Sequence, residues 1–345
     1  MISLLIAGAL SMVTSILGTK ALINWLTRHH VGQPIREDGP EGHHTKAGTP
    51  TMGGLAIVGS AVIGYTIAHV RGGVVFTRAG IVVILTIIGA GLVGLLDDWI
   101  KVSRERNLGL SKRAKIAGLL TVSTAFPIAM LAWTDIHTQL SFTRFDSPGI
   151  ELGSVGWSIL AVLMIVGTTN GVNLTDGADG LAAGASVYTF IAFVVIGFWA
   201  FRHPETYDIP AALDLAVVSA SMLGGCAGFL WWNAAPAQIF MGDTGALAIG
   251  AALATLALAT STQLLLLILG GLFVVETLSV MLQVGSFRLF GGRRVFRMAP
   301  IHHHFELGGW PETTVIIRFW IVAGLTTALG LGIFYADFIA TGGID

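Results

Sequence analysis

Charged side chains are scarce in this chain. Only 11% of its 345 residues are Asp, Glu, Lys or Arg, whereas a soluble domain carries about 25%. Hydrophobic residues make up 54%. This composition excludes an ordinary soluble globular protein and predicts an integral membrane protein. The net charge of −1 also lacks the excess of one sign that would indicate a nucleic acid partner.

The chain has very little cysteine, and its N-terminal stretch does not match a signal peptide. Cys226 is the single cysteine, so an intrachain disulfide is excluded and the redox compartment stays open. The apolar N-terminal stretch 1–19 has no basic n-region and continues to Trp25. We therefore expect it to be a first membrane span and not a cleaved signal.

Long apolar runs dominate what is present. Because roughly 20 apolar residues cross a bilayer as a helix, the pattern predicts ten spans. They cover approximately residues 2–24, 52–70, 79–96, 116–133, 156–172, 181–201, 211–230, 245–261, 263–285 and 314–338. Alternating apolar residues in 139–153 favour a small periplasmic β-hairpin. We expect an all-α integral membrane protein, with about ten transmembrane helices in a single polytopic domain over residues 1–345.

Lysine and arginine are distributed unequally between alternate loops. They concentrate in 28–46, 101–115 and 288–297, whereas the opposite loops hold only Arg71, Arg78, Arg144 and Arg202. By the positive-inside rule, the first group faces the cytoplasm. The predicted orientation places both termini outside and every long polar loop, with the active-site loops, on the cytoplasmic face.

Two adjacent acids, Asp97 and Asp98, follow the uncharged run 79–96 directly. Ionisable residues at such a position are costly when unpaired and often mark an ion, substrate or proton site. The alternative is a solvated pair just outside the bilayer. The pair alone does not decide between these interpretations.

The stretch 168–180 reads TTNGVNLTDGADG and begins where the fifth apolar run ends. Asn170, Asn173, Asp176 and Asp179 recur every three residues, which on a helical turn places them near one face. An ordinary turn rich in Asn and Asp is the alternative. Four polar groups in register beside apolar segments favour a binding surface.

One carboxylate, Asp243, is the only charge in the loop WWNAAPAQIFMGDTGA. It could simply cap the next helix. Beside Asn233 and Phe240 at the membrane boundary, however, an acid suits a hard cation, because Mg²⁺ is commonly held by one or two carboxylates and substrate phosphates.

Basic residues and a histidine run complete the polar set. Six positive charges lie in 101–115 and four in 288–297, close to His302, His303 and His304. A cationic face could be only a topology signal with attraction to anionic lipids. Three consecutive histidines could bind zinc, but adjacent side chains point in different directions, so contact with phosphate or sugar is favoured. Acids, amides, bases and histidines on one face favour phosphoryl transfer to or from a metal-bound anionic substrate.

Five motifs in this order resemble the bacterial phospho-N-acetylmuramoyl-pentapeptide-transferase family. They are KAGTPTMGG at 46–54, DDWIK at 97–101, NLTDGADG at 173–180, FMGDTG at 240–245 and APIHHHFE at 299–306. The resemblance covers essentially the whole chain. It implies transfer of phospho-N-acetylmuramoyl-pentapeptide from its UDP form to undecaprenyl phosphate, with release of UMP and a requirement for Mg²⁺. It also implies a bacterial inner-membrane location and a homodimer, although no residue indicates a dimer.

The resemblance also implies residue roles. Asp243 corresponds to the Mg²⁺ ligand, and Asp97 and Asp98 to the catalytic acids that act on the lipid phosphate and support the metal. Phe240 corresponds to the uracil-stacking position. The polar nucleotide lining corresponds to Asn173, Asp176, Asp179 and Asn233. Contacts to nucleoside or phosphate correspond to Lys46, Thr51, Gln283, His302 and His303. Lys115 resembles a catalytic-loop lysine, with Lys112 as a neighbouring candidate, and His302 joins the catalytic set. The histidine run with Glu306 fits the muramoyl-pentapeptide branch.

Three alternatives remain at this point. A related enzyme transferring N-acetylglucosamine-1-phosphate to a polyprenyl phosphate shares the acid pair and the Asn/Asp-rich loop. A transporter is disfavoured because the polar residues lie in loops on one face and no internal repeat is visible. Covalent catalysis by Asp243 is disfavoured because a nucleophilic carboxylate would bind metal less well, so we expect direct attack by the lipid phosphate.

Overall fold

The computed structural model describes residues 1–29, 48–104 and 109–342. Its elements in chain order are α1 (Ile2–Arg28), α2 (Gly54–Gly72), α3 (Arg78–Ser103), α4 (Lys112–Trp133), β1 (Gln139–Arg144), β2 (Ser147–Glu151), α5 (Gly153–Thr175), α6 (Leu181–Arg202), α7 (Pro204–Tyr207), α8 (Ala212–Asn233), α9 (Gly242–Ala259), α10 (Leu266–Leu269), α11 (Gly271–Leu289), α12 (Ile301–Glu306) and α13 (Glu312–Ala340).

Ten helices within these ranges are long and apolar enough to cross a membrane. The predicted all-α membrane fold is therefore confirmed, and each predicted span lies within or overlaps one of these helices. The ninth span differs in detail. A short helix, α10, precedes Gly270 and the long helix α11 follows it. A hydropathy profile cannot detect this break because both pieces are apolar.

A two-stranded antiparallel hairpin is also confirmed. Its register pairs Gln139 with Glu151 and Arg144 with Ser147. The Arg144 Nε donates to Asp337 Oδ2 at 3.0 Å, which attaches the hairpin to α13. The hairpin thus lies at the end of the bundle where α13 finishes, opposite the end where α3 finishes.

The centre of the bundle is α9, in which every residue from Asp243 to Ala259 is buried. Its neighbours approach it closely because glycines lie at the contacts. A methyl group at Gly94 of α3 would lie 2.2 Å from the Asp243 carbonyl oxygen, and one at Gly250 of α9 would lie 2.4 Å from Thr169 Cα. Small residues allow such backbone contact between membrane helices. The start of α9 is therefore fixed against α3.

The structure corrects two sequence expectations about the polar segments. Helix α3 does not end near Leu96 but continues to Ser103, so Asp97 and Asp98 lie on the helix and are buried instead of following it. Helix α5 ends at Thr175, so Asp176 and Asp179 do not continue the helical face of Asn170 and Asn173. Hydropathy misses the end of α3 because charged residues can extend a helix when partners compensate their charge, whereas the three-residue spacing of Asp176 and Asp179 lies beyond the end of α5.

Candidate active site

Three aspartates from two helices form a buried cluster. Asp97 and Asp98 lie near the C-terminal end of α3, and Asp243 lies in the first turn of α9. One carboxylate oxygen from each lies within 4.8 Å of the others. Their exposed fractions are 3%, 2% and 7%. The structure therefore brings together the three acids that the sequence analysis selected.

Two lysines lie among these carboxylates. The Lys101 ammonium group is 2.6 Å from Asp97 Oδ2 and 2.8 Å from Asp243 Oδ2, and 3.6 Å from Asp98 Oδ1. The Lys115 ammonium group is 2.5 Å from Asp243 Oδ2 and 3.9 Å from Asp97 Oδ2. Three ionised carboxylates and two ammonium groups sum to one negative charge. The lysines thus neutralise most of the negative charge that the three acids bring together.

Lys115 enters the cluster because of its position on α4. Lys112 begins this helix and is exposed, whereas Lys115 is half-buried and faces Asp243. The geometry therefore places Lys115, and not Lys112, beside the acids.

Lys101 is a member of the site that sequence reasoning did not select. It appears there as one charge of a basic loop and as the last residue of the DDWIK motif, with no role of its own. The available signal was the spacing in DDWIK, because residues three and four apart face each other on a helix. The predicted span ends at Leu96, so this spacing lies outside the predicted helix, whereas α3 continues to Ser103.

Asp98 has a different environment from Asp97. Its Oδ1 accepts a hydrogen bond from the Asp243 amide at 3.1 Å, and its Oδ2 accepts from the Thr244 amide at 2.9 Å and the Thr244 hydroxyl at 2.7 Å. Free amides at a helix start favour a negatively charged acceptor. Asp98 on α3 therefore caps α9 from a neighbouring helix and fixes Asp243 in place. Asp97 accepts one backbone hydrogen bond, from the Leu110 amide at 2.9 Å.

We expect Asp98→Ala to lower the free energy of unfolding by about 1 to 2 kcal/mol, because α9 loses the acceptor for two of its first amides. Thermal unfolding in detergent measures the change. Thr244→Val is the matched variant, since it removes only the hydroxyl hydrogen bond and should cost less. Equal stability of Asp98→Ala and the unchanged protein would contradict the capping role.

The segment before α2 brings Thr51 to the same site. The Phe240 amide donates to the Pro50 carbonyl at 2.8 Å, and the Phe240 carbonyl accepts from the Gly53 amide at 2.9 Å. A methyl group on Gly242, where φ is +71°, would lie 2.4 Å from Asp98 Oδ2 and 3.0 Å from Thr51 Oγ1. Only glycine fits this turn. The buried Thr51 hydroxyl has no hydrogen-bond partner among the residues described.

The loop between α5 and α6 borders the acid cluster. Burial raises the pKa of the Asp176 carboxyl well above its usual range, and the nearby carboxylates of Asp243, Asp98 and Asp179 raise it further. Asp179 is buried, and its Oδ2 accepts from the Ala237 amide at 2.9 Å. This hydrogen bond joins the loop to the segment that leads into α9.

The remaining amides differ in position. Asn233 is buried at the end of α8, where its Nδ2 donates to the Ile239 carbonyl at 2.9 Å, so it shapes the loop that carries Phe240. Asn173 is half-buried in the last turn of α5, two residues before its end. Asn170 is exposed and donates to Val166 of its own helix at 2.7 Å. The structure does not bring Asn170 to the cluster.

The three histidines turn to three different partners, as expected for consecutive residues. The Nδ1 atom of His302 lies 3.1 Å from Glu276 Oε1, and that of His303 lies 2.7 Å from Glu306 Oε2. His304 Nδ1 accepts from the Arg297 amide at 3.1 Å. His302 and His303 also lie against Gly177, whose added methyl group would be 2.4 Å and 3.4 Å from their Nε2 atoms. They therefore border the α5–α6 loop.

Two residues predicted to contact the substrate, Gln283 and Lys46, are not seen at the acid cluster among the residues described. The Gln283 side chain donates to the Phe296 carbonyl at 3.1 Å and accepts from the Val295 and Phe296 amides at 3.0 Å and 2.9 Å. Its amide is thus used to hold the loop after α11. Lys46 lies outside the described residues.

The acid cluster has the chemistry of a site for a hard divalent cation. Its three carboxylates supply oxygen ligands, which Mg²⁺ prefers, and its net negative charge favours a cation. Asp97, Asp98 and Asp243 could together hold such an ion. The adjoining lysines could hold phosphate oxygens.

Comparisons with known proteins agree along the chain. A family model described as glycosyl transferase family 4 matches residues 80–261, and one described as phospho-N-acetylmuramoyl-pentapeptide-transferase signature 1 matches residues 46–58. A phospho-N-acetylmuramoyl-pentapeptide-transferase of Frankia alni is 51% identical, over 98% of each chain. Proteins of the same name from Nocardioides sp. and Streptomyces avermitilis are 50% and 49% identical, over 98% of this chain and 99% and 98% of theirs. The chain therefore belongs to the phospho-N-acetylmuramoyl-pentapeptide-transferase family.

Proposed function

We propose that the chain transfers phospho-N-acetylmuramoyl-pentapeptide from its UDP-activated form to undecaprenyl phosphate, releasing UMP and forming the first lipid-linked intermediate of peptidoglycan synthesis. The buried cluster of three aspartates and two lysines carries this proposal. It lies at helix ends, where a soluble nucleotide and a lipid phosphate can meet. Family membership supports the muramoyl-pentapeptide substrate over N-acetylglucosamine-1-phosphate.

Mg²⁺ is the proposed cofactor, and Asp243 is its principal ligand, with Asp97 and Asp98 as the other candidates. When bound, the ion would neutralise charge on the diphosphate of the nucleotide substrate. Asp98 uses lone pairs of both oxygens to cap α9, so its main task is to hold Asp243 in position. This division of tasks follows from the hydrogen bonds of the two adjacent acids.

The lysines hold the transferred and accepting phosphates. Lys101 and Lys115 neutralise the carboxylates before substrate arrives, and their mobile ammonium groups can then bind phosphate oxygens. Asp97, beside both, orients the lipid phosphate and accepts its proton. Because the second pKa of a phosphate is about 6, much of that group is already ionised at neutral pH. The contribution of Asp97 as a base is therefore modest, and its orienting task is the larger one.

The nucleotide occupies the region between the cluster and the α5–α6 loop. We assign uracil stacking to Phe240 and polar contacts to the side chains around it, with His302 and His303 on the far side of the loop. The remaining members of this proposed lining are Thr51, Asn173, Asp176, Asp179 and Asn233. Lys46 and Gln283 stay predicted contacts, and Asn170 is the weakest member because its amide bonds its own helix.

The site faces the cytoplasm in the proposed orientation, with both termini outside. The basic stretches lie at the C-terminal ends of α3 and α11 and at the start of α4. These positions are at the same end of the bundle as the acid cluster. The positive-inside rule assigns that end to the cytoplasm. The nucleotide substrate then reaches the site from the cytoplasm while the lipid tail stays in the bilayer.

A direct test uses purified protein with undecaprenyl phosphate, Mg²⁺ and either UDP-N-acetylmuramoyl-pentapeptide or UDP-N-acetylglucosamine. We expect UMP and a lipid-linked product from the first nucleotide only. Product from the second nucleotide alone would contradict the substrate assignment. Movement of lipid between leaflets without UMP release would instead indicate a transporter.

A further inference from the structure

A glutamate in α11 and a histidine in α12 are buried against each other. Glu276 and His302 both have an exposed fraction of 0%, and Glu276 Oε1 lies 3.1 Å from His302 Nδ1. Glu276 belongs to none of the motifs that carry the family resemblance. Its pairing with His302 is therefore independent of the sequence analysis.

His302 is the only ionic partner that the described part of the chain offers to the Glu276 carboxylate. Neither of its oxygens has a hydrogen bond of good geometry there, and the nearby Ser279 hydroxyl donates to the Glu276 backbone carbonyl instead. A carboxyl group buried in an apolar helix is costly unless it is paired. Within the described residues, His302 is therefore the group that can offset the cost of burying Glu276.

The pairing decides where the second ring nitrogen points. A methyl group on Gly177 would lie 2.4 Å from His302 Nε2, so this atom faces the turn that follows Asp176. It is buried and has no hydrogen-bond partner within the described ranges. His303 is turned to Glu306 instead. The two neighbouring histidines are thus oriented by two different carboxylates.

We propose that Glu276 is a positioning residue for His302. Its carboxylate lies 3.1 Å from Nδ1 and favours a proton on that nitrogen by electrostatic attraction, which orients the ring and leaves Nε2 directed at the α5–α6 loop for contact with the substrate. The substrate contact rests on the proposed function, whereas the pairing of Glu276 with His302 does not. Glu276 itself touches no substrate.

A double-mutant cycle tests this role. We expect Glu276→Gln to lower kcat/KM for the muramoyl nucleotide roughly 10- to 100-fold, as loss of a carboxylate that orients a functional histidine does elsewhere. In a His302→Gln background the same change should have less than about a twofold further effect, because coupled residues are not additive. Ser279→Ala is the matched control on α11 and should stay near the unchanged protein. Unchanged kcat/KM in Glu276→Gln, or full additivity with His302→Gln, would overturn the proposal.

A spectroscopic measurement separates this proposal from the substrate assignment. In ¹⁵N-histidine-labelled protein, the His302 signals are identified by their loss in His302→Gln, and Glu276→Gln should shift the Nδ1 resonance. Unshifted signals would overturn the pairing even if the enzyme is active. If the unchanged protein is inactive and Glu276→Gln still shifts the Nδ1 resonance, only the proposed function is overturned. Should Glu276→Gln unfold, Glu276→Met of similar size replaces it in both measurements.

Discussion

Asp243→Asn is expected to lower the rate of UMP release by roughly 10³-fold, near the upper end of what one electrostatic contact contributes in an active site. The substitution removes the charge that both lysines contact, at 2.5 Å and 2.8 Å. It also removes the principal proposed ligand for Mg²⁺. Residual activity should therefore respond little to a Mg²⁺ titration. Binding of Mn²⁺, followed by electron paramagnetic resonance, should weaken in parallel.

The control for Asp243→Asn is Asp146→Asn on the hairpin, at the other end of the bundle. Asp146 is exposed and pairs with Arg144, so its loss should leave both rate and metal binding unchanged. Full activity and an unaltered Mg²⁺ response in Asp243→Asn would refute the metal assignment. A phosphorylated Asp243 peptide trapped during turnover would instead support covalent catalysis.

Gly94→Ala should lower both stability and activity, although it adds only one methyl group. The added methyl group would lie 2.2 Å from the Asp243 carbonyl oxygen, 2.4 Å from its carbonyl carbon and 2.6 Å from the Thr244 amide nitrogen. All three are backbone atoms of the first turn of α9, so no side-chain rotation relieves the clash. We expect a loss of about 3 kcal/mol in unfolding free energy, the upper end for overpacking. Activity should also be lost because α3 and α9 carry the acid cluster.

Gly89→Ala on the same helix is the matched control. Its methyl group would lie 3.2 Å from the Val122 side chain, so a shift of the neighbour by a few tenths of an ångström relieves the contact. Thermal unfolding and UMP release should both stay near those of the unchanged protein. A Gly94→Ala variant as stable and active as Gly89→Ala would show that the contact between α3 and α9 is not needed.

The sequence predicts the spans well because apolar length alone decides whether a helix crosses a bilayer. It also selects Asp97, Asp98 and Asp243, since acids at the edge of apolar runs are rare and costly. Hydropathy and motif order thus predict the membrane fold and the three aspartates of the site. Both signals depend on residue type and spacing, which are local properties of the chain.

The pairing between helices is what the sequence could not predict. Hydropathy does not select Lys101, because its role depends on contact with Asp243 of another helix as well as with Asp97 of its own. The capping of α9 by Asp98 joins residues 145 positions apart, and no local pattern encodes it. Asp176 and Asp179 leave the expected helical register because α5 ends at Thr175, and Asp179 accepts a hydrogen bond from the distant Ala237 amide. Tertiary contacts decided each of these points.

The burial of α9 also has a mechanical consequence. This helix has 18 residues and is surrounded by protein, whereas α1, α4 and α13 present most of their surface outward. A change in bilayer thickness acts on outward-facing helices through tilt and mismatch. The distance between Asp98 and Asp243, by contrast, is set by glycine contacts within the bundle. We therefore expect the distance between Asp98 and Asp243 to depend little on the lipid chain length of the surrounding membrane.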